Sequence, residues 1–354
     1  MPKSSTNSSP RKSLSPALSE REREEDRLVC AVDLGGTNLR AANIDRHGRI
    51  YERTRTATPK TDKAEDIIAG IVSAVRECET AALNRGAQIQ AVSVVVPGSV
   101  QVGTGVVVNA PNIPSLPGFR LASALGAALD RPVLLENDAN AAALGEMWQG
   151  AARNCKTIIC LTLGTGVGGA IVLDRELWRG VDGTAGEIGH TSVEPFGGVK
   201  CKCGNFGCIE VYASATAIVR MACEGLAQYP GSSLNSISAA ELTSERIYRA
   251  AIERDSLALD VFRKAASYLG IAMANVINIF NPEMIVVGGG VAAAWDLFVE
   301  PARAEVMRRA FPVPAARCQI ARAECGDDAG LLGAAWLAFE NNVQTGFTEF
   351  TSFK

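Results

Sequence analysis

Long apolar runs are absent from this chain of 354 residues. Its longest apolar stretches fall well short of the roughly 20 residues that a transmembrane helix needs, which argues against a membrane partner. A secretion signal is absent as well, because the N-terminal stretch MPKSSTNSSPRKSLSP is polar and has no apolar core. We therefore expect a cytoplasmic protein.

The chain also has no excess of basic residues. It contains 35 Lys and Arg against 38 Asp and Glu, for a net charge of −3. Non-specific binding to nucleic acid needs a basic face, so a nucleic-acid partner is not expected. Hydrophobic residues make up 47 % and charged residues 21 %, near the average of globular proteins. At roughly 150 residues per domain, the length predicts about two domains.

Histidine is scarce, with two residues, whereas cysteine occurs ten times. Without a secretion signal, ten cysteines indicate reduced thiols or metal ligands and not a disulfide framework. Cys201, Cys203 and Cys208 form a C-x-C-x₄-C pattern in a glycine-rich loop, and His190 lies eleven residues before it. Three thiolates and an imidazole make a closed tetrahedral zinc set, which predicts a structural site. The alternative is three reduced cysteines in a loop.

Residues 1–28 lack any apolar repeat that could bury a face. They are rich in Ser, Pro and charge, which predicts a disordered tail, with a short charged helix over residues 19–27 as the alternative. After the tail, a strand, a glycine turn and a second strand occur twice, each time ahead of alternating strands and helices. This repetition predicts two related α/β lobes. Apolar residues at helical spacing predict long helices over residues 63–85, about 256–279 and about 328–340.

No G-x-x-x-x-G-K-[ST] motif occurs, so a Walker-type NTPase is unsupported. Residues 164–169, GTGVGG, match G-x-G-x-x-G, but a β-type run follows where a dinucleotide-binding turn needs a helix. We therefore predict a hairpin turn there, and a second one at residues 33–37, DLGGT. Residues 286–290, VVGGG, end a strand and open a helix, as anion sites do. Each turn alone is explained by backbone geometry, but the two hairpin turns together favour a nucleotide clamp between the lobes.

Acidic and amide side chains are candidates for substrate chemistry. Asn137 and Asp138 sit where a strand ends and a helix begins, so the pair suits helix capping or a general base at a cleft, and spacing alone favours capping. Glu187 lies three residues before His190, and Glu210 lies two residues after the last cysteine of the cluster. A bound metal would therefore gather both carboxylates, an array that suits a sugar. The alternative is two ordinary surface carboxylates.

Several of these segments, in this order, resemble the ROK family of bacterial sugar kinases and sugar-responsive repressors. DLGGTNLRAA resembles the family's first phosphate motif, LGTGVGGAIV…WRGVDGTAGEIGH its signature, and CKCGNFGCIEVYAS its zinc and sugar motif. The resemblance extends over about residues 29–340. The END-ANAAALGE and EVYASATA contexts look most like the glucokinases of the family.

The resemblance implies an α/β, actin-like (ribonuclease H-like) duplicated two-lobe ATPase fold with an interlobe cleft. It implies a small N-terminal lobe of residues 29–137 plus 327–345. Residues 138–326 would form a large lobe with the zinc loop and the sugar and nucleotide contacts. It further implies ATP with Mg²⁺, a structural Zn²⁺, and a homo-oligomer, either a dimer or a tetramer.

The resemblance also assigns roles to residues, with Asp138 matching the base that deprotonates the sugar 6-hydroxyl. The positions that match sugar ligands are Asn112, Asn137, Asp138, Glu187, His190 and Glu210. The positions that match nucleotide, phosphate or magnesium contacts are Asp33, Gly35, Gly36, Thr37, Asn38, Thr165, Gly166, Gly289 and Gly290. The positions that match zinc ligands are His190, Cys201, Cys203 and Cys208.

The implied reaction is ATP-dependent phosphorylation of a hexose, with glucose converted to glucose 6-phosphate. The alternatives are a kinase for another hexose or an N-acetylhexosamine (fructose, mannose, N-acetylglucosamine, N-acetylmannosamine) and a sugar-sensing transcriptional regulator. Family repressors carry a winged helix-turn-helix before the DxGGT motif, and the 32 mostly polar residues before Asp33 are few for such a domain, which disfavours the regulator. Polyphosphate as the donor stays open, although the GGG turn favours a nucleotide.

Overall fold

Two five-stranded sheets form the framework of the protein. The computed structural model describes residues 27–345, so the predicted N-terminal tail and its alternative helix lie almost entirely outside the described residues. In spatial order, the first sheet consists of β3 (Ile50–Ala57), β2 (Asn38–Ile44), β1 (Arg27–Leu34), β4 (Gln88–Val96) and β7 (Val133–Asn137). The first three strands pair antiparallel, and β1, β4 and β7 run parallel. A separate ribbon pairs β5 (Ser99–Gln101) with β6 (Val106–Asn109).

The second sheet repeats the topology of the first. In spatial order it consists of β10 (Glu176–Leu177), β9 (Val167–Leu173), β8 (Ile158–Leu163), β11 (Met284–Gly288) and β12 (Gln319–Arg322). Again three strands pair antiparallel, and β8, β11 and β12 run parallel. The predicted duplication is therefore confirmed. The G-x-G-x-x-G segment spans the β8–β9 hairpin, as its β-type continuation predicted.

Helices cover the sheets and connect their strands. The α-helices of the described residues are α1 (Ala64–Asn84), α2 (Leu121–Leu129), α3 (Asp138–Trp148), α4 (Glu210–Ala213), α5 (Ala215–Gly225), α6 (Ser244–Ile252), α7 (Ser256–Phe280), α8 (Trp295–Arg309), α9 (Pro312–Arg317) and α10 (Ala329–Thr345). Short 3-10 helices span Ile188–His190, Leu226–Gln228, Ser233–Ser236, Gly290–Ala294 and Gly326–Asp328. The three predicted long helices are α1, α7 and α10, the last of which extends five residues further. Within residues 27–345, no helix is both long and apolar enough to cross a membrane.

Helices α3 and α10 cross between the two sheets. α10 packs on β1 and β4 of the first sheet, and α3 packs on β8 and β9 of the second. A Cβ on Gly333 would lie 1.7 Å from Ala141 O, and a Cβ on Gly145 would lie 2.2 Å from Ala329 O. Only glycine permits this approach, so the backbones of α3 and α10 are in direct contact at these positions.

We expect Gly333→Ala to destabilise the protein by about 2 kcal/mol or more, because the added methyl must push apart two packed helix backbones. Thermal unfolding measures the effect. Gly70→Ala in α1 is the matched control, since its Cβ would meet only ordinary contacts at 3.6 Å or more. Higher helix propensity should leave that variant neutral or slightly more stable. Equal melting temperatures for Gly333→Ala and wild type would contradict the tight crossing.

Candidate active site

A cavity of about 580 Å³ opens between the two sheets. Asp33 at the end of β1 and Arg40 on β2 line it from the first sheet. The glycine turn after β11, residues 288–290, lines it from the second sheet. Asp138, the first residue of α3, belongs to the same wall. One cavity therefore gathers four positions that the sequence singled out, namely Asp33, Asp138, Gly289 and Gly290.

The strand-to-helix junction divides two roles between Asn137 and Asp138. Asn137 is the N-cap of α3, and its Oδ1 accepts a hydrogen bond from the backbone N–H of Asn140 at 3.0 Å. Asp138 Oδ1 accepts from Ala139 N and from Asn137 Nδ2, both at 2.9 Å. Among residues 27–345, Asp138 Oδ2 accepts no hydrogen bond. Capping thus falls to the asparagine, and the aspartate keeps one oxygen for the cavity.

The cavity changes the acidity of Asp138. The side chain stays exposed, but the cavity walls remove much of its hydration, and this desolvation raises its pKa from an ordinary 3.8 to about 6. The negative charge of Asp33 adds to the rise, whereas the hydrogen bonds from Ala139 N and Asn137 Nδ2 oppose it. The carboxylate is therefore ionised at neutral pH and is a stronger base than an ordinary aspartate.

The β1–β2 turn forms a second, adjoining cavity of about 340 Å³. Residues 35–38 line it together with Asp33 and Arg40, whose side chains form an ion pair. Gly35 N donates to Asn38 O at 2.8 Å, which closes the turn. A Cβ on Gly36 would lie 2.8 Å from Asn112 Cβ, so Asn112 packs directly on this turn. The structure places Asn112 beside the phosphate motif.

The β8–β9 turn is held by Glu210, the first residue of α4. Val167 N donates to Glu210 Oε2 at 3.1 Å, and a Cβ on Gly166 would lie 2.3 Å from that oxygen. Thr216 Oγ1 donates to Thr165 O at 2.8 Å on the other side of the turn. Glu210 is therefore a support of the turn that contains Thr165 and Gly166, and not an ordinary surface carboxylate.

The cysteine cluster brings four potential ligand atoms within 4.8 Å of one another. They belong to His190, Cys201, Cys203 and Cys208. The Sγ atoms of Cys203 and Cys208 lie 3.7 Å apart, and Cys201 Sγ lies 3.6 Å from His190 Nδ1. Ligands at about 2.3 Å from a tetrahedral zinc ion lie about 3.8 Å from each other. The donor set and its spacing fit Zn²⁺.

The two predicted carboxylates flank this cluster. His190 Nε2, on the far side of the ring from the sulfurs, lies 3.9 Å from Glu187 Oε2. Glu210 Oε1 lies 4.0 Å from Cys201 Sγ. Glu187 is exposed, whereas Glu210 is half-buried. No hydrogen bond or ion pair of the described residues joins Asp138 to either glutamate, so Asp138 and the two glutamates form separate carboxylate sets.

Sequence reasoning missed three charged residues of the site. Arg40 forms an ion pair with Asp33, and the buried Glu136, directly before the junction, forms an ion pair with the half-buried Arg179. The signal for Glu136 was a carboxylate inside the apolar run VLLEN. The two arginines gave no such signal, because their partners lie on other strands.

The fold and the cleft define an actin-like, two-lobe α/β protein. A model of the ROK family matches residues 29–341. A glucokinase of Halalkalibacterium halodurans is 38 % identical over 325 residues, which are 91 % of this chain and 98 % of that protein. The crystal structure of a ROK family glucokinase from Streptomyces griseus, in complex with glucose and AMPPNP, is similar with a TM-score of 0.73 and 36 % identity, over 88 % of this chain and 99 % of that one. The chain belongs to the ROK family.

Relatives with other names are also similar. An N-acetylmannosamine kinase of Salmonella paratyphi A is 32 % identical over 87 % of this chain and 97 % of that protein. A ROK family transcriptional regulator is similar with a TM-score of 0.80 at 27 % identity, over 89 % of this chain and 78 % of the regulator. Overall similarity therefore fixes the family and leaves the substrate to the residues of the site.

Proposed function

We propose that this sugar kinase transfers a phosphoryl group from ATP to a hexose, and that glucose, converted to glucose 6-phosphate, is its preferred substrate. The observation that carries the proposal is the free oxygen of Asp138 in a cleft lined by glycine turns from both sheets. The glucokinase relatives support glucose. The N-acetylmannosamine kinase relative makes an N-acetylhexosamine the second candidate.

In the proposed reaction, Asp138 Oδ2 accepts the proton of the sugar 6-hydroxyl. The hydroxyl oxygen attacks the γ-phosphorus in line, and the bond between that phosphorus and the leaving ADP oxygen breaks. Such transfers depend mainly on positioning and charge neutralisation. The raised pKa of Asp138 makes it an effective proton acceptor at neutral pH.

The glycine turns supply backbone N–H groups for the nucleotide. We assign phosphate and adenosine contacts to Gly35, Gly36, Thr37, Asn38, Thr165, Gly166, Gly289 and Gly290. Asp33 suits Mg²⁺, because its carboxylate lines the cleft and Arg40 engages only Oδ2. When bound with ATP, Mg²⁺ supplies charge neutralisation at the phosphates.

The sugar side of the site is assigned to residues around the metal cluster and the junction. The proposed sugar ligands are Asn112, Asn137, Asp138, Glu187, His190 and Glu210. Zn²⁺ held by His190 and the three cysteines would supply a structural cross-link that fixes Glu187 and Glu210.

A further proposal concerns the two lobes. We assign residues 29–137 plus 327–345 to one lobe and residues 138–326 to the other, since α10 packs on the first sheet. We also propose that the protein is cytoplasmic and forms a homodimer or a homotetramer.

A panel of sugars with ATP tests the proposed substrate. Initial rates with glucose, mannose, fructose, N-acetylglucosamine and N-acetylmannosamine are expected to give the highest kcat/KM for glucose. A higher kcat/KM for an N-acetylhexosamine would show that glucose is not the preferred substrate, but phosphoryl transfer to a sugar would still be the reaction. No turnover with any sugar, together with sugar-dependent retention of DNA in a gel shift, would instead indicate a regulator.

Asp138→Asn should lower kcat by about 10²–10⁴-fold, because the amide cannot accept the proton, while sugar binding is largely retained. Asp62→Asn is the matched control, since Asp62 is an exposed acid that lines neither cavity of the cleft. Turnover of Asp138→Asn close to that of wild type would exclude Asp138 as the general base.

In wild type, kcat/KM for the sugar should fall as pH decreases through about 6, since only the deprotonated form of Asp138 can accept the proton. A profile that stays flat down to pH 5 would contradict this.

Cys203→Ser should lower the zinc content from one ion per chain to near zero and raise the Kd for the sugar, because the loop that positions Glu187 and Glu210 loosens. Elemental analysis and calorimetric titration measure both quantities. Cys223→Ser, outside the cluster and half-buried, is the matched control and should change neither. Unchanged sugar affinity in a zinc-free variant would separate the metal from the sugar site.

A further inference from the structure

Glu136 is a fully buried carboxylate, with 2 % of its surface exposed, in the otherwise apolar strand β7. Its Oε1 accepts hydrogen bonds from Asn137 N and Asn140 Nδ2, both at 2.9 Å. Its Oε2 lies 2.9 Å from Arg179 Nε and 2.8 Å from Arg179 Nη2. A buried charge is tolerated only where it is paired and hydrogen-bonded, and both oxygens meet that requirement.

The two oxygens of Glu136 hold different parts of the molecule. Oε1 holds the beginning of α3, where Asn137 caps the helix and Asp138 follows. Oε2 holds Arg179, which comes two residues after the end of β10 in the second sheet. A single carboxylate therefore links the catalytic junction on the first sheet to a loop of the second.

Arg179 lies at the start of the bridging loop, residues 178–187, which ends at Glu187. Ala185 N donates to Arg179 O at 3.0 Å, so the arginine backbone closes the loop on itself. In the middle of the loop, Gly183 has a φ of +87°, and a Cβ there would lie 2.8 Å from Val100 O of β5. The bridging loop thus spans from the second sheet to the ribbon beside the first.

We infer that Glu136 and Arg179 are positioning residues that set the bridging loop, with Glu187 at its end, relative to the junction that contains Asp138. The inference rests on the proposed function, because it assigns to this pair the alignment of the sugar hydroxyl with its base. Neither side chain lines the two cavities of the cleft. Glu136 acts through Asn137 and Asn140, and Arg179 acts through the backbone of the bridging loop.

Arg179→Gln tests the inference by removing the cation and leaving the carboxylate buried. We expect kcat/KM for the sugar to fall about 10–100-fold, because small misplacements of reacting groups have effects of this size. The KM for ATP should change less than about 2-fold, since the glycine turns do not contact the pair. Arg179→Lys should recover part of the loss, because it restores the charge without the planar donors. Arg175→Gln is the matched control, because Arg175 lies before β10, outside the bridging loop, and donates a hydrogen bond to Cys155 O.

Glu136→Gln and the double variant Glu136→Gln/Arg179→Gln complete a cycle. If the two residues act as one unit, the double variant loses no more kcat/KM than the worse single variant. Additive losses, or a fall in melting temperature without a selective change in the sugar parameters, would overturn the inference and reduce the pair to a structural salt bridge.

Hydrogen exchange separates failure of this inference from failure of the proposed function, because it needs no turnover. In Arg179→Gln, the amides of Trp178 and Ala185 in the bridging loop and of Asn140 in α3 should exchange faster together. In Arg175→Gln, the same amides should stay at wild-type rates. Unchanged exchange at Asn140 would overturn the coupling even in an active kinase, whereas an inactive wild type with coupled exchange would refute only the kinase assignment.

Discussion

The arrangement of the cleft depends on the crossing of α3 and α10. The two helix backbones meet where Gly145 and Gly333 lack a Cβ, and each helix packs on a different sheet. Because interiors are close-packed, a contact this tight leaves little freedom in the distance between the sheets. The helix held by this contact, α3, begins at Asp138 on the wall of the cavity. The geometry of the cavity therefore depends on two glycines, Gly145 and Gly333, that are far apart in the sequence.

At the beginning of α3, two neighbouring residues divide structural and chemical work. Asn137 satisfies the free N–H of Asn140, so Asp138 does not have to cap the helix. Hydrogen bonds at a helix N-terminus favour an ionised carboxylate, but the loss of hydration and the nearby charge of Asp33 outweigh them. The balance leaves a carboxylate whose pKa lies near 6. If Asp138 were itself the N-cap, its second carboxylate oxygen would accept a hydrogen bond from the helix backbone and would not face the cavity.

Local sequence patterns predicted the features that depend on residues close together in the chain. These features are the duplicated sheets, the β8–β9 hairpin and the spacing of the cysteine cluster. The patterns also indicated helix capping by the Asn137–Asp138 pair, which the structure assigns to Asn137, whereas the general-base role of Asp138 stays a prediction. Contacts between distant segments left no local signal. Asn112 packs on Gly36, Arg179 pairs with Glu136, and both depend on which strands become neighbours in space. The periodicity of apolar residues identifies a helix or strand, whereas the whole fold determines which helices and strands contact each other.

The separate carboxylate sets are connected through the backbone of the second sheet. Glu210 holds Val167 N from the metal-cluster side, and one residue on, a Cβ at Gly168 would lie 3.4 Å from Ala139 Cβ. Ala139 directly follows Asp138. The junction therefore has two supports. Glu136 accepts a hydrogen bond from Asn137 N, and the β8–β9 hairpin packs against Ala139. Glu210, which follows the cysteine cluster, holds this hairpin. Because both supports act on residues next to Asp138, the position of its carboxylate depends on both sheets.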